Sequence, residues 1–288
     1  MKGILLAGGR GTRLHPLTLN ISKQLLPVYD KPMIYYPIST LMHMGIRDIA
    51  VISDSSNLKD FMSLLGDGSQ WGINLEFFSQ KSPEGIAQAY LITKDFSKNS
   101  NTCLILGDNL FVWPGMKPLV SGATLSSGAR IFAYEVYNPK AYGNIAIDEN
   151  GVVTDLIEKP EIPISNFAVP GIYITDESAP DRAKSLVKSK RGEYEIVDLL
   201  ITYMKEDKLF ASLLPRGTAW FDTGSISDLY SAAEFIKIIQ ERQGQLVGSP
   251  EEIAFRNGWL SKEEIFRNLP KDSKSQYYLK LRNVLSSV

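Results

Sequence analysis

Three short runs, residues 3–7, 49–52 and 103–106, are apolar at consecutive positions, a fourth, 75–78, is broken only by Glu76, and helical patterns lie between them. A strand apolar on both faces must be covered on both, which is the condition of a buried parallel sheet. The helix candidates are residues 37–44, closed by Gly45, residues 58–65, closed by Gly66, and residues 85–96. This alternation predicts an α/β fold, a Rossmann-like mixed and mostly parallel sheet flanked by helices. From about residue 129 the pattern becomes β-rich: residues 131–136, 143–147 and 152–157 read as strands, with Glu149, Asn150 and Gly151 as a hairpin turn. Helices are expected again at 183–189 and 195–205. Ser225 and Asp228 form a capping pattern for a longer helix with Ile226, Leu229, Ala233, Ile236 and Ile239 on one face. Further helical segments follow residue 243.

Composition narrows the classes. The chain of 288 residues is 44% hydrophobic and 22% charged, the profile of an ordinary folded protein. Basic and acidic residues number 31 and 32, so no global charge favours nucleic acid. One cysteine, Cys103, and two histidines, His15 and His43, leave no zinc cluster to build. No apolar run reaches the length of a membrane span, and the first residues do not read as a signal peptide. A reducing, cytoplasmic setting without membrane partners is the expectation.

Gly8, Gly9, Arg10, Gly11, Thr12 and Arg13 follow the first buried run directly. Glycines at a strand end let the backbone turn and bring its N–H groups close to phosphate oxygens. Leu14 stands where a dinucleotide fingerprint needs glycine, and no Gly-Lys-Ser/Thr follows, so neither common phosphate motif fits. An ordinary tight turn remains open on the loop alone. Among the first 31 residues Lys2, Arg10, Arg13, Lys23 and Lys31 face a single acid, Asp30. That local excess suits a triphosphate, although Arg10 and Lys31 read better as a solvated basic face. Asp108 and Asn109 close the run 103–106, where ligands of open parallel sheets sit. Asp222 follows another apolar segment. Two such carboxylates can hold one Mg2+, and each taken singly is equally a cap or turn residue. Glu158 and Lys159 before Pro160 can meet a sugar hydroxyl and a second phosphate; alone they read as a surface pair.

Residues 8–18 (GGRGTRLHPLT), 21–42 (ISKQLLPVYDKPMIYYPISTLM), 64–72 (LLGDGSQWG), 80–89 (QKSPEGIAQA), 106–109 (LGDN), 157–160 (IEKP), 191–198 (RGEYEIVD), 219–224 (AWFDTG) and 241–259 (ERQGQLVGSPEEIAFRNGW) occur in this order. Together they resemble the sugar-nucleotide nucleotidyltransferase family, and the second stretch resembles its thymidylyl branch rather than the uridylyl one. The resemblance implies a nucleotidyltransferase unit over residues 1–243, with 1–128 mainly nucleotide-binding and 129–243 mainly sugar-phosphate-binding, and a helical extension over 244–288. It implies Mg2+-dependent transfer of a thymidylyl group from dTTP to glucose 1-phosphate, the entry step of deoxysugar biosynthesis.

By the same resemblance Gly8, Gly9, Gly11 and Thr12 line the nucleotide, Arg13 and Lys23 hold the triphosphate, and Gln24, Gln80, Pro83 and Gly85 meet the thymine and deoxyribose. Asp108 and Asp222 bind the metal. Asn109, Tyr142, Gly143, Glu158, Lys159, Val169 and Arg191 take the sugar phosphate, with Lys159 and Arg191 on its phosphate. A homotetramer is implied as well, with residues 33–36 either an interface or, as the default for such apolar residues, core. Residues 111–116 depart from the glycine-histidine stretch common in the family, which touches a second, regulatory nucleotide site rather than the catalytic set. A UTP-using enzyme and a catalytically silent sensor are the alternatives.

Overall fold

The computed structural model describes residues 1–9, 11–112, 127–271 and 273–287. Its strands are β1 (Lys2–Leu6), β2 (Pro27–Val28), β3 (Lys31–Pro32), β4 (Asp48–Asp54), β5 (Asn74–Gln80), β6 (Thr102–Leu106), β7 (Asn109–Val112), β8 (Ala129–Glu135), β9 (Gly143–Ile147), β10 (Val153–Glu158), β11 (Phe167–Ala168), β12 (Ile172–Thr175), β13 (Leu209–Leu213) and β14 (Ala219–Asp222). Ten of them form one sheet in the order β10-β9-β11-β8-β12-β6-β1-β4-β5, with β13 beside β8. The four runs are its parallel part, with β5 at the edge: β1 pairs in parallel with β4 and β6, and β4 with β5. β12 joins β6 antiparallel, so the sheet is mixed as expected.

Alternate residues of these strands feed separate cores. Leu5, Val51, Cys103 and Ile105 pack under the helices Tyr35–His43 and Leu58–Leu65. Ile4, Ile52 and Leu104 face Tyr90, Ala183, Leu199 and Tyr203 from the helices Gln88–Ile92, Ala179–Ser185 and Ile196–Met204. Covering both faces is why β1, β4 and β6 carry no polar alternation, whereas β5, at the sheet edge, exposes Glu76 and Ser79.

The chain passes from β1 outward to β4 and β5, then returns to the other side of β1 as β6. The connections after β1 and β6 therefore diverge, which opens a crevice at their carboxyl ends. Two small sheets, β2–β3 and β7–β14, stand beside that crevice. They rest on the helix Ile226–Gln243 through Val28, Leu110, Leu229 and Ile236. Its start shows the expected capping box: Ser225 accepts from the Asp228 N–H, and the Asp228 carboxylate accepts from the Ser225 N–H.

Several boundaries differ from expectation. The helix expected over 85–96 is Gln88–Ile92 only, because Gly85 takes φ +99° and Ala87 donates to Tyr194 O, tying residues 85–87 to a distant loop. The helix expected at 183–189 is Ala179–Ser185, started by Pro180 in its first turn. The 149–151 turn does join β9 to β10, with the Asp148 carboxylate accepting from the N–H groups of Asn150 and Val152. Met33, Ile34 and Tyr36 are buried within the chain, so that stretch is core. Beyond residue 243, the helix Pro250–Arg256 adds Ile253 and Ala254 to the first core, and Lys262–Asn268 and Gln276–Ser286 close a small apolar cluster of their own. Among the described residues no helix is long and apolar enough to cross a membrane.

Candidate functional site

The crevice between the ends of β1 and β6 holds two adjoining clefts, of about 420 and 210 Å³, that share Gly8, Gly9, Arg13, Asp108 and Asp222 in their walls. The larger is also lined by Gln80, Pro83, Gly85, Asn109, Tyr142, Gly143, Glu158, Lys159, Val169 and Arg191, the smaller by Gly11, Thr12, Lys23 and Gln24. Every residue singled out from the sequence as a candidate site residue thus lines one cleft or the other. Arg10 and residues 113–116 of the departing stretch lie outside the described residues.

The charge excess near the N-terminus resolves differently. Lys2 sits at the far end of β1, donating to Phe96 O at 2.6 Å. Lys31 is neither solvated nor at the cleft: it is 4% exposed, 2.5 Å from Asp30 Oδ1, and stacked over the rings of Tyr36 and Tyr277. The described cations of that segment that reach the cleft are Arg13 and Lys23.

Asp108 and Asp222 are brought together by pairing of β7 with β14, which sets Asp222 opposite Asn109. Buried Thr223 locks the arrangement, its N–H and hydroxyl both donating to Asp108 O, at 3.2 and 2.9 Å. Lys23 Nζ lies 2.8 Å from Asp108 Oδ2. Arg13 reaches the same turn, with Nη1 3.4 Å from the place a β-carbon would take on Gly224. Burial, and then the charge of Asp108, push the Asp222 carboxyl above its ordinary value, while Lys23 and Arg13 pull it down. Two carboxylates in mutual repulsion suit a hard divalent cation such as Mg2+, which needs few protein ligands and takes the rest from water and substrate phosphates. Among the described residues no larger cage of three or more His, Cys, Asp or Glu side chains exists.

Across the cleft, β9 and β10 carry Gly143, Glu158 and the start of the turn at Lys159. Lys159 adopts φ +44° immediately before Pro160, a strained conformation for a lysine, and its N–H donates to Tyr142 O at 3.1 Å. Its ammonium is 3.5 Å from Glu158 Oε1. Arg191 is clamped by Glu195, with Nε and Nη2 at 2.9 to 3.2 Å from its carboxylate oxygens. Both cations are more than half exposed, so an arriving phosphate can reach them.

Three contributors, Glu195, Trp220 and Gly171, were missed in the sequence. Glu195 stands four residues after Arg191, in the loop that leads into the helix Ile196–Met204, and closes an ion pair there. Trp220 donates from Nε1 to Asn109 Oδ1 at 2.7 Å and packs on Tyr142 with ring centres 4.9 Å apart. Asn109, expected to meet the sugar phosphate, spends its side chain internally: Oδ1 also accepts from Gly171 N–H, and Nδ2 donates to Asp108 Oδ1. Nothing in the local sequence of Trp220 or Gly171 announces this brace, because it joins three separate segments.

The chain that builds this crevice matches a family model described as nucleotidyl transferase over residues 2–238. The chain belongs to the nucleotidyl transferase family. As a nucleotidyl transferase it is an enzyme, and it has near full-length relatives. It is 49% identical over 277 residues to glucose-1-phosphate thymidylyltransferase of Mycolicibacterium smegmatis, covering 96% of each chain. It is 48% identical over 285 residues to the enzyme of that name from Neisseria meningitidis, covering 98% of this chain and 99% of the relative. Among solved structures, one from Bacillus anthracis, assigned as a glucose-1-phosphate thymidylyltransferase and holding sucrose, aligns with a TM-score of 0.76 at 36% identity, over 82% of this nucleotidyl transferase and 94% of that chain. A UDP-glucose pyrophosphorylase with UDP-glucose aligns with a TM-score of 0.73 at 26% identity, over 82% and 98%.

Proposed function

We propose that this nucleotidyl transferase moves a thymidylyl group from dTTP to the phosphate of glucose 1-phosphate, releasing pyrophosphate and forming dTDP-glucose. The observation that carries this reading is the two-walled cleft, with a glycine turn, Arg13, Lys23, Asp108 and Asp222 on one side and Tyr142, Glu158, Lys159 and Arg191 on the other. Such a cleft accommodates two phosphate-bearing ligands facing each other. Thymidylyl rather than uridylyl transfer is supported by relatives of that name at 49% identity, against 26% for the UDP-glucose pyrophosphorylase.

In this mechanism an oxygen of the sugar phosphate attacks the α-phosphorus of dTTP in line with the departing pyrophosphate. The nucleophile is an anion at neutral pH, so no general base is needed, and catalysis rests on alignment and charge neutralisation. Two unit negative charges 4 Å apart repel by about 4 kcal/mol at an effective dielectric of 20. Arg13 and Lys23 offset this on the triphosphate, Lys159 and Arg191 on the sugar phosphate. Asp108 and Asp222 are the residues that would hold Mg2+, which when bound supplies further neutralisation of the phosphate oxygens. The rigid frame around Trp220 and Asn109 keeps the acidic wall in register. Glu158, half exposed, accepts hydrogen bonds from sugar hydroxyls.

A silent sensor is disfavoured because every one of these charged groups is present. The deciding assay offers purified protein, Mg2+ and glucose 1-phosphate with either dTTP or UTP and follows pyrophosphate release. Faster turnover with dTTP is expected. Release with UTP at equal or greater efficiency would reject the thymidylyl assignment, and release with neither would reject catalysis.

A further inference from the structure

Gln80 ends β5, is 3% exposed, and turns its amide toward Gln88, the first residue of the helix Gln88–Ile92. The geometry points to Gln88 as a positioning residue: it fixes the amide of Gln80 so that Oε1, not the NH2 group, faces the base, which selects pyrimidines bearing an N3–H over those bearing a 4-amino group. The inference deepens the reading of the cleft as a thymidine nucleotide site and rests on it.

A glutamine amide has an acceptor and a donor end that are nearly the same shape, so its orientation must come from its partners. Here each partner permits one answer. The atom of Gln88 that meets the Glu84 backbone N–H at 3.1 Å must be oxygen, because a backbone N–H only donates. The other end, 3.3 Å from Glu84 Oε2, must be nitrogen, because a carboxylate only accepts. With Oε1 of Gln88 so fixed, the Gln80 atom 2.6 Å from it must be Nε2. Oε1 of Gln80 is then turned the other way. It lies over Gly8 at the glycine turn, 2.2 Å from where a β-carbon on that residue would stand, and both residues line the larger cleft.

The clamp is itself anchored. Glu84 is held by Lys188 Nζ at 3.0 Å and by the Ser82 hydroxyl at 3.1 Å, and its carbonyl accepts from Tyr194 N–H at 2.6 Å. The next residue, Gly85, has φ +99°, and a β-carbon there would stand 2.4 Å from Tyr194 O, so the loop cannot easily shift to let the amides turn over.

Thymine and uracil present N3–H between two carbonyls, a donor that a buried oxygen can accept. Cytosine presents an N3 lone pair and an amino group at that edge, which leaves two acceptors opposed. A site built around one hydrogen bond rejects the analogue that lacks it far more strongly than a site of shape alone rejects a change of methyl group.

Equilibrium titration of dTTP, dUTP and dCTP, with the parent and with variants checked for folding by thermal melts, tests this. The parent is expected to prefer dTTP over dCTP by about a hundredfold or more. Gln88→Glu keeps an acceptor for the Gln80 NH2 but opposes its second oxygen to Glu84, so it should melt lower while holding that ratio within about threefold. Gln88→Lys offers only donors, turns the Gln80 oxygen inward, and should shrink the dTTP/dCTP ratio by about tenfold or more. Gln88→Ala, which removes the constraint, should fall between them and serves where Gln88→Lys does not fold. The dTTP/dUTP ratio should stay constant throughout, since both bases carry N3–H; a general loosening of the site would move it too. An unchanged dTTP/dCTP ratio in Gln88→Lys and Gln88→Ala, or an equal collapse in Gln88→Glu, overturns the inference. Failure of the underlying reading shows separately, as a parent protein with no preference for dTTP over dCTP.

Discussion

Asp108→Asn removes one charge while leaving almost every contact of the side chain in place. Asparagine keeps an Oδ1 for the Asn109 amide, now at 3.0 Å, and the backbone oxygen that Thr223 holds is untouched. What disappears is the carboxylate 2.8 Å from Lys23 Nζ and the charge that faces Asp222. At 2.8 Å two unit charges attract by about 6 kcal/mol at an effective dielectric of 20 and by about 1.5 kcal/mol in water. Asp108 is 27% exposed and Lys23 7%, so desolvation and solvent screening cancel most of the larger figure. A net stability loss of about 1 to 3 kcal/mol follows, a few degrees in Tm for a chain of this size. The effect on chemistry is larger, because charge neutralisation is the main work of this wall: kcat should fall by about a hundredfold to a thousandfold. The assay is pyrophosphate release at saturating dTTP and glucose 1-phosphate across a Mg2+ titration, with melts in parallel. Turnover within about tenfold of the parent at low Mg2+, from a variant that melts normally, would refute the assignment of Asp108 to the reacting phosphates.

Asp222 gives a pH-dependent expectation. Its folded carboxyl lies above the ordinary value of 3.8, burial first and Asp108 second, so the folded state binds the proton more tightly than the unfolded one. Stability contributed by this group is therefore present at low pH and lost as pH rises from the unfolded value through the raised one. Metal-free Asp222→Asn should melt higher than the parent at pH 7, converge with it in acid, and lose the Tm increase that Mg2+ gives the parent; a lower Tm at pH 7 would contradict the electrostatic account. Lys31→Met leaves Asp30 buried without its cation, and burial already holds the Lys31 pKa down. It should cost about 3 to 5 kcal/mol by chemical denaturation, with kcat of the folded fraction within about twofold of the parent.

Local signals were legible where one segment alone settles the outcome. The runs that became β1, β4 and β6 had to be inner strands, because residues apolar on both faces leave no solvent face, whereas β5, whose run includes Glu76, lies at the sheet edge. The Ser225 and Asp228 cap and the 149–151 hairpin were legible for the same reason: their hydrogen bonds close within a few residues. Residues 85–96 were misjudged because Gly85 and Ala87 answer to Tyr194, more than a hundred positions away. Lys31 was misjudged because the rings and carboxylate that bury it come partly from the tail, where Tyr277 lies. Its charge was visible and its surroundings were not.

By itself the amino-acid sequence determined the class of fold, the strand-end glycines, and the inventory of charged groups that phosphate chemistry requires. It also carried, in ordered motifs from residue 8 to residue 259, membership of the nucleotidyl transferase family. Only the tertiary structure decided which of those charges meet. Asp108 and Asp222 become neighbours through pairing of β7 with β14, Lys2 is sent to the far end of β1, and the Gln80 amide receives its direction from Gln88 and Glu84. The physical reason is range: propensity and hydrophobic period act over a turn or a strand, whereas the partner of a charge or an amide is chosen by whichever distant segments the packed sheet brings within about 3 Å.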